Sequence, residues 1–411
     1  MERLLLKNIG VLATPTGKTA RKGAAQGEVT VLYDAWVLLE DGVIAQVGTG
    51  TLPRCTAAVL DAGGRLVTPG LVDAHTHLIF GGWRQHELAL KLRNVPYLDI
   101  LAQGGGIHST VAATHAAAQA ELEEKAAQAL DEMLAFGTTT CEAKSGYGLC
   151  LDQELKQLRA IRNLDGRHPI DLVPTFMGAH ALPGAYAENR QAYVDLLCEE
   201  MIPAVAEEGL ARFCDVFCET GVFTAEEARR ILLAGRRYGL EPKIHADEID
   251  AIGGSQLAGE IGAVSAEHLI VCPPAGIASL ARGGTVACLL PATSLYLGAA
   301  FAPARDMVAA GVPVALATDF NPGSCPCLNL QLVMNLGCLR YRMTPEEVLT
   351  AVTLNGAAAI GLADRIGSVE PGKQADLVIW ETADLNYICY RMGSNLVRTV
   401  LKGGRRFEIR H

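Results

Sequence analysis

Eight short runs rich in β-forming residues recur down this chain, at 70–76, 138–143, 170–177, 212–218, 242–246, 263–268, 285–290 and 312–318. Between them lie longer segments rich in Ala, Glu, Leu and Arg, among them 119–136, 153–163, 190–208, 225–238 and 302–310, whose apolar residues fall at helical spacing. Alternation of this kind calls for parallel strands joined by helical crossovers. Eight such units predict an α/β fold, a closed (β/α)8 TIM-like barrel with insertions. A doubly wound open sheet is the structural alternative. It normally carries a Gly-rich phosphate turn directly after its first strand, whereas Gly104-Gly105-Gly106 lies about thirty residues downstream and lacks that spacing.

The two ends of the chain read differently. Val29-Thr30-Val31-Leu32-Tyr33 and Ala35-Trp36-Val37-Leu38-Leu39 look like two short strands, followed by a turn at Glu40-Asp41-Gly42. The same style resumes from about residue 365. The expected organisation is a small β-sandwich formed by 1–65 and 365–411, flanking a barrel at 66–364. Residues 13–28, rich in Thr, Lys, Gly and Ala, read as a mobile loop.

Composition narrows the function. Half of the 411 residues are hydrophobic and 19% are charged, which fits a large buried core. A formal net charge of −10 argues against nucleic acid as a partner. The apolar run near the N-terminus is too short for a signal segment, and no stretch approaches the roughly 18 to 20 apolar residues of a membrane span, so a cytoplasmic protein is expected. Twelve cysteines scattered through a chain of this size read as reduced core or loop thiols, including Cys214, Cys218, Cys325 and Cys327.

In a parallel barrel the chemistry gathers where strands end. The first run ends in His75 and His77, the third in His180, the fifth in His245 with Glu248 three residues on, the sixth in His268 and the eighth in Asp319. Alternate residues of a strand face the same way, so His75 and His77 project together. Any one of these histidines is as easily a hydrogen-bonded structural residue. Jointly, His75, His77, His245 and Asp319 make an N3O donor set for zinc or iron with a position left for water, and they are assigned as metal ligands. A metal there lowers the pKa of water and makes hydrolysis the natural chemistry. Glu248 is placed to move a proton from that water to a leaving nitrogen, and His268 to hold the nucleophile or polarise the electrophile.

These residues resemble the amidohydrolase superfamily, and within it the branch that opens the ring of 4-imidazolone-5-propanoate. The resemblance covers nearly the whole chain. It rests on Pro69-Gly70-Leu71-Val72-Asp73-Ala74-His75-Thr76-His77, Gly104-Gly105-Gly106-Ile107-His108-Ser109-Thr110, Lys144-Ser145-Gly146-Tyr147-Gly148-Leu149, His245-Ala246-Asp247-Glu248 and Ala317-Thr318-Asp319-Phe320-Asn321-Pro322-Gly323-Ser324. The resemblance implies hydrolysis of a cyclic amide bond to N-formimidoyl-L-glutamate, one metal ion per chain (zinc, with iron the alternative), a small-molecule substrate and a homodimer. It further implies that Arg84 binds the propanoate carboxylate, where a guanidinium fork suits a planar anion. By the same resemblance Tyr147, His180 and Glu248 contact substrate, and Asn321, Gly323 and Ser324 form a loop that holds substrate or product. Lys144 sits where other members carry a carboxylated lysine bridging two metals; with one metal expected, its role here is positional.

Two rivals stand beside this reading. A guanine- or cytosine-type deaminase would share the metal set and the His245/Glu248 pair, but a neutral heterocycle gives no reason to aim Arg84 into the pocket. A non-catalytic barrel would have lost ligands, whereas the full set is present.

Overall fold

The computed structural model describes residues 2–93 and 105–409. Gly104 of the triple-glycine motif lies outside the described residues.

The chain ends meet in one mixed eight-stranded sheet built from β1 (Arg3–Thr14), β2 (Thr30–Glu40), β3 (Val43–Thr49), β4 (Ala58–Asp61), β5 (Leu66–Pro69), β14 (Leu377–Trp380), β15 (Val397–Lys402) and β16 (Arg405–Glu408). Strand β5 is the join, pairing with β1 from the N-terminal part and with β14 from the C-terminal part. Alternation along β14 shows how this sheet serves two cores. Leu377 and Ile379 pack in the small unit's own core, while Val378 and Trp380 join the core of the barrel. The two short strands expected at 29–39 are one continuous strand, β2. The non-glycine Asp34 sits in it with φ +48°, a local twist that a run-by-run reading takes for a break. At the β2–β3 hairpin, Asp41 and Gly42 have φ of +47° and +82°, as a tight primed turn requires.

The second sheet is all parallel, in the order β6 (Leu71–Asp73), β7 (Thr138–Lys144), β8 (Asp171–Ala179), β9 (Phe213–Cys218), β10 (Glu241–Ala246), β11 (Ser265–His268), β12 (Val286–Leu289) and β13 (Val314–Leu316). All eight predicted runs are strands, within a few residues at each end. Beyond β13 and β6 the seam is drawn together by a bridge between Thr76 and Phe320, with Asp319 N donating to His75 O at 3.0 Å and His77 N to Phe320 O at 2.9 Å. That closure carries the end of the first strand to the end of the eighth. It is why a histidine at 75 and an aspartate at 319 can share a site.

The crossover helices follow their local signals. Ala225–Arg237 opens on a capping box in which Thr224 Oγ1 accepts from Glu227 N and Glu227 returns a bond to Thr224 N. The segment expected as one helix at 190–208 is interrupted by a π-turn, Leu197–Met201. Pro203 follows it, lacks an N–H and crowds the preceding turn, and the wider turn accommodates it. Residues 13–28 are not the free loop their composition suggests. Gln26 is fully buried, and its amide pairs with both backbone groups of Val314 at the barrel seam, at 3.0 and 3.1 Å. Among the described residues no helix is long and apolar enough to cross a membrane.

Candidate metal centre and active site

Strand β6 delivers the first two candidate ligands. Asp73 fixes its end by accepting from Thr318 N at 3.0 Å and from Thr318 Oγ1 at 2.6 Å, which ties it to the segment that carries Asp319. His268 and Asp319 both have φ above +50°, so their strands end in sharp bends. Non-glycine residues adopt that backbone at a cost, and such strain concentrates at functional sites.

All four predicted ligands converge. His75 Nε2 lies 3.4 Å and His77 Nε2 3.6 Å from Asp319 Oδ1, and His245 Nε2 lies 3.4 Å from His77 Nε2. Ligand bonds of about 2.1 Å in a tetrahedral arrangement separate donors by roughly 3.4 Å, so these spacings fit one first-row ion. The ring tautomers fit as well. His75 Nδ1 lies 2.9 Å from Glu267 Oε2 and His245 Nδ1 3.1 Å from Asp215 Oδ1; a carboxylate can only accept, so each Nδ1 is the donor and each Nε2 is the atom turned to the cluster. Among the described residues His75 Nε2 is buried without a hydrogen-bond partner, an arrangement that is costly unless something else occupies it. Burial, and then neighbouring positive charge, holds His75 and His77 well below the usual imidazole range, so both are neutral donors. A donor atom of His268 also lies within 4.8 Å of those of His75 and His245.

The predicted acid–base residues sit beside this cluster. Burial raises the Glu248 carboxyl to about 7, although His245 pulls the other way. Its Oε2 is 3.6 Å from His268 Nε2. Burial lowers His268 and His180 to about 3, so both rings are neutral at physiological pH. His180 stacks on His77 with centroids 4.8 Å apart, donates from Nδ1 to Gly146 O at 3.0 Å, and feels the charge of Arg84. Tyr147 packs beside both His77 and His180.

Arg84 lies across the 321–324 loop. A Cβ added to Gly323 would fall 0.9 Å from Arg84 Nη2, so the guanidinium occupies the space that only glycine leaves open. Its Nε is buried without a hydrogen-bond partner among the described residues. Asn321 shapes the loop from within, its Oδ1 accepting from Gly323 N at 2.8 Å and from Ser324 N at 2.7 Å, while its Nδ2 donates to Asp319 O at 2.7 Å. The amide of Asn321 is thus engaged in the loop that carries Asp319 and supports Arg84.

Several residues around the site escaped the sequence reading. Glu154 gathers the backbone N–H groups of Gly146, Gly148 and Leu149 at 2.8 to 3.0 Å, and Gln157 takes that of Tyr147 at 3.1 Å, so the 144–149 segment is moulded by the helix that follows it. Thr293 Oγ1 donates to Asp319 Oδ2 at 2.7 Å. Glu142, Asp215, Lys243 and Glu267 are fully buried behind the histidines. Their signal was present in the two-residue spacing of Glu142 with Lys144 and of Lys243 with His245, which puts charge on the inward face of two strands.

A closed parallel barrel with imidazoles and a carboxylate converging at its strand ends defines a metal-dependent hydrolase class. Residues 66–407 match the model of the amidohydrolase family, and the chain belongs to that family. More narrowly, it is 52% identical to the imidazolonepropionase of Alkaliphilus metalliredigens over 98% of both chains. Among solved structures it shares the fold of an adenosine deaminase from Xanthomonas campestris with bound zinc (22% identity, 98% of this chain and 92% of that one, TM-score 0.69). It shares the fold of E. coli guanine deaminase likewise (16% identity, 100% of both chains, TM-score 0.75). Family membership implies a bound metal ion, and the donor set described above fits one.

Proposed function

We propose that this protein hydrolyses the ring amide of 4-imidazolone-5-propanoate to N-formimidoyl-L-glutamate, a step of histidine degradation, using one metal ion held by His75, His77, His245 and Asp319. Zinc is the expected ion and iron the alternative, since an N3O set accepts either. When bound, the ion supplies Lewis-acid activation of water and of the ring carbonyl. Glu248 takes a proton from the attacking water and delivers it to the ring nitrogen as the carbonyl–nitrogen bond breaks, so the water's oxygen ends in the new carboxylate. A carboxyl raised by burial to about 7 is suited to both halves of that transfer near neutral pH. His268, neutral at that pH, supplies an N–H to the carbonyl oxygen as charge develops on it. Arg84 pairs with the propanoate and sets the ring's distance from Glu248. His180 and Tyr147 form the aromatic wall against which the ring lies, and Asn321, Gly323 and Ser324 form the loop beneath Arg84.

The observation that carries this reading is the placement of Arg84 over Gly323, in the loop that follows Asp319, where its charge reaches the His180 ring that stacks on His77. A fixed cation next to a hydrolytic centre favours an anionic substrate over a neutral purine or pyrimidine. The 52% identity to a relative named imidazolonepropionase supports the same choice, while the deaminase likenesses concern the fold alone. We further propose a cytoplasmic location, on the sequence's lack of any long apolar run, and a homodimer, on the family resemblance. The test is ring opening of freshly generated 4-imidazolone-5-propanoate, followed by loss of its ultraviolet absorbance, beside guanine and cytosine as competing substrates. Turnover of either base, with none of the imidazolone, would replace this reading with a deaminase.

A further inference from the structure

Five ionisable side chains, Glu142, Lys144, Asp215, Lys243 and Glu267, are wholly buried inside the barrel behind the candidate ligands. Charges so deep are tolerated only when each is paired, and here the pairing forms one continuous chain. Lys144 Nζ lies 2.8 Å from both Glu142 Oε2 and Asp215 Oδ2. Lys243 Nζ lies 2.8 Å from Glu142 Oε1 and 3.5 Å from Glu267 Oε1, and it donates to the carbonyl of Ala74, just before His75, at 3.3 Å. Glu142 therefore joins both lysines, and Thr175 Oγ1 donates to it as well, at 2.5 Å.

The ends of this chain are the two carboxylates that touch histidines, Asp215 on His245 Nδ1 and Glu267 on His75 Nδ1. Strands β6, β7, β9, β10 and β11 are linked through it in the order His75, Glu267, Lys243, Glu142, Lys144, Asp215, His245. A carboxylate on Nδ1 fixes both the tautomer and the tilt of a ligand ring, and each carboxylate here is fixed in turn by a lysine. Three carboxylates against two ammonium groups leave one negative charge, of the sign that favours a cation in front of it.

We propose that Glu142, Lys144 and Lys243 are positioning residues for the metal centre. Glu142 is the shared anion that keeps Asp215 and Glu267 aimed at His245 and His75, so that both Nε2 atoms meet the same ion. Lys144 works in this chain as an ammonium held by two carboxylates. The inference rests on the metal-centre reading given above, and the experiment separates the two.

Metal-free wild type and Glu142→Gln are titrated with Zn²⁺ against a competing chelator, and the visible spectra of their Co²⁺ forms are compared, with circular dichroism confirming that both are folded. Glutamine keeps the shape of the side chain and removes its charge. The expected result is one zinc per wild-type chain, and in the variant a zinc affinity at least tenfold weaker with an altered cobalt spectrum, the range typical for losing support behind a ligand histidine. A loss smaller than tenfold overturns the positioning role while leaving the metal reading intact. Wild type that binds no stoichiometric zinc or cobalt overturns both. Thermal stability falls for almost any replacement of a buried charge and is not the readout. Should Glu142→Gln fail to fold, Lys243→Met takes the same test with the same threshold.

Discussion

Adding one methyl group at Gly323 should cost this enzyme most of its hold on a carboxylate substrate. The new Cβ would stand 0.9 Å from Arg84 Nη2 and 1.9 Å from its Cζ, far inside any contact distance, so the guanidinium must leave its seat. A charge-assisted pair between arginine and carboxylate is worth about 1.5–3 kcal/mol. At about 1.4 kcal/mol per factor of ten, its loss lowers kcat/KM roughly ten- to hundredfold, mainly through KM. Arg84→Ala should do the same by removing the group outright. The diagnostic variant is the double one. With Arg84 already truncated, the methyl at 323 displaces no guanidinium, so Gly323→Ala/Arg84→Ala should be no worse than Arg84→Ala alone. The assay is ring opening at varied substrate concentration, with zinc content measured in parallel and expected to stay at the wild-type level. Wild-type KM in Gly323→Ala, or two effects that simply multiply in the double variant, would refute the claim that the glycine exists to seat the arginine.

Glu248→Gln should lower kcat by about a hundred- to ten-thousandfold, the usual contribution of a positioned acid–base group, while zinc content is retained. The pH profile of kcat/KM follows from the same residue: burial raises Glu248 to about 7, the carboxylate is the form that accepts the proton, and activity therefore falls as pH drops through that value. A bound cation favours the carboxylate and moves the limb lower; a profile flat from pH 8 to 4 would contradict the assignment. Metal retention should also fail in acid, because the His75 and His77 pKa values lie well below the imidazole norm and the neutral rings needed for binding are lost only as pH falls through those depressed values. Zinc measured after dialysis across a pH series tests this, and release beginning above pH 7 would count against it. Gln26→Ala should destabilise the fold by about 1–3 kcal/mol, since it leaves the buried Val314 N–H without its partner, and urea unfolding would show an unchanged midpoint if the anchor were unimportant.

What the sequence revealed and what it hid have physical reasons. The barrel was legible because its strands, covered on both faces, read as apolar runs, and the candidate ligands stood out because His75, His77, His245 and Asp319 interrupt or end those runs. Glu142, Asp215, Lys243 and Glu267 were passed over because a charge in mid-strand looks like a flaw in an apolar run until its partners on other strands are known. Glu267 was masked by its neighbour as well. Adjacent strand residues normally face opposite sides, but His268 has φ +67°, and the simple alternation fails there. The loop at 13–28 misled for a related reason: its Gly- and Ala-rich composition suits mobility, yet Gln26 pairs with Val314, 288 residues away, which no local pattern can announce.

The most direct test of the account is to strip the enzyme of metal with a chelator, restore one equivalent of zinc or iron, and follow 4-imidazolone-5-propanoate by its absorbance and the product by mass. The account predicts no ring opening in the stripped protein, recovery at one equivalent, and a product heavier than the substrate by one water. Undiminished turnover without metal, or none in the fully reconstituted enzyme, would contradict it.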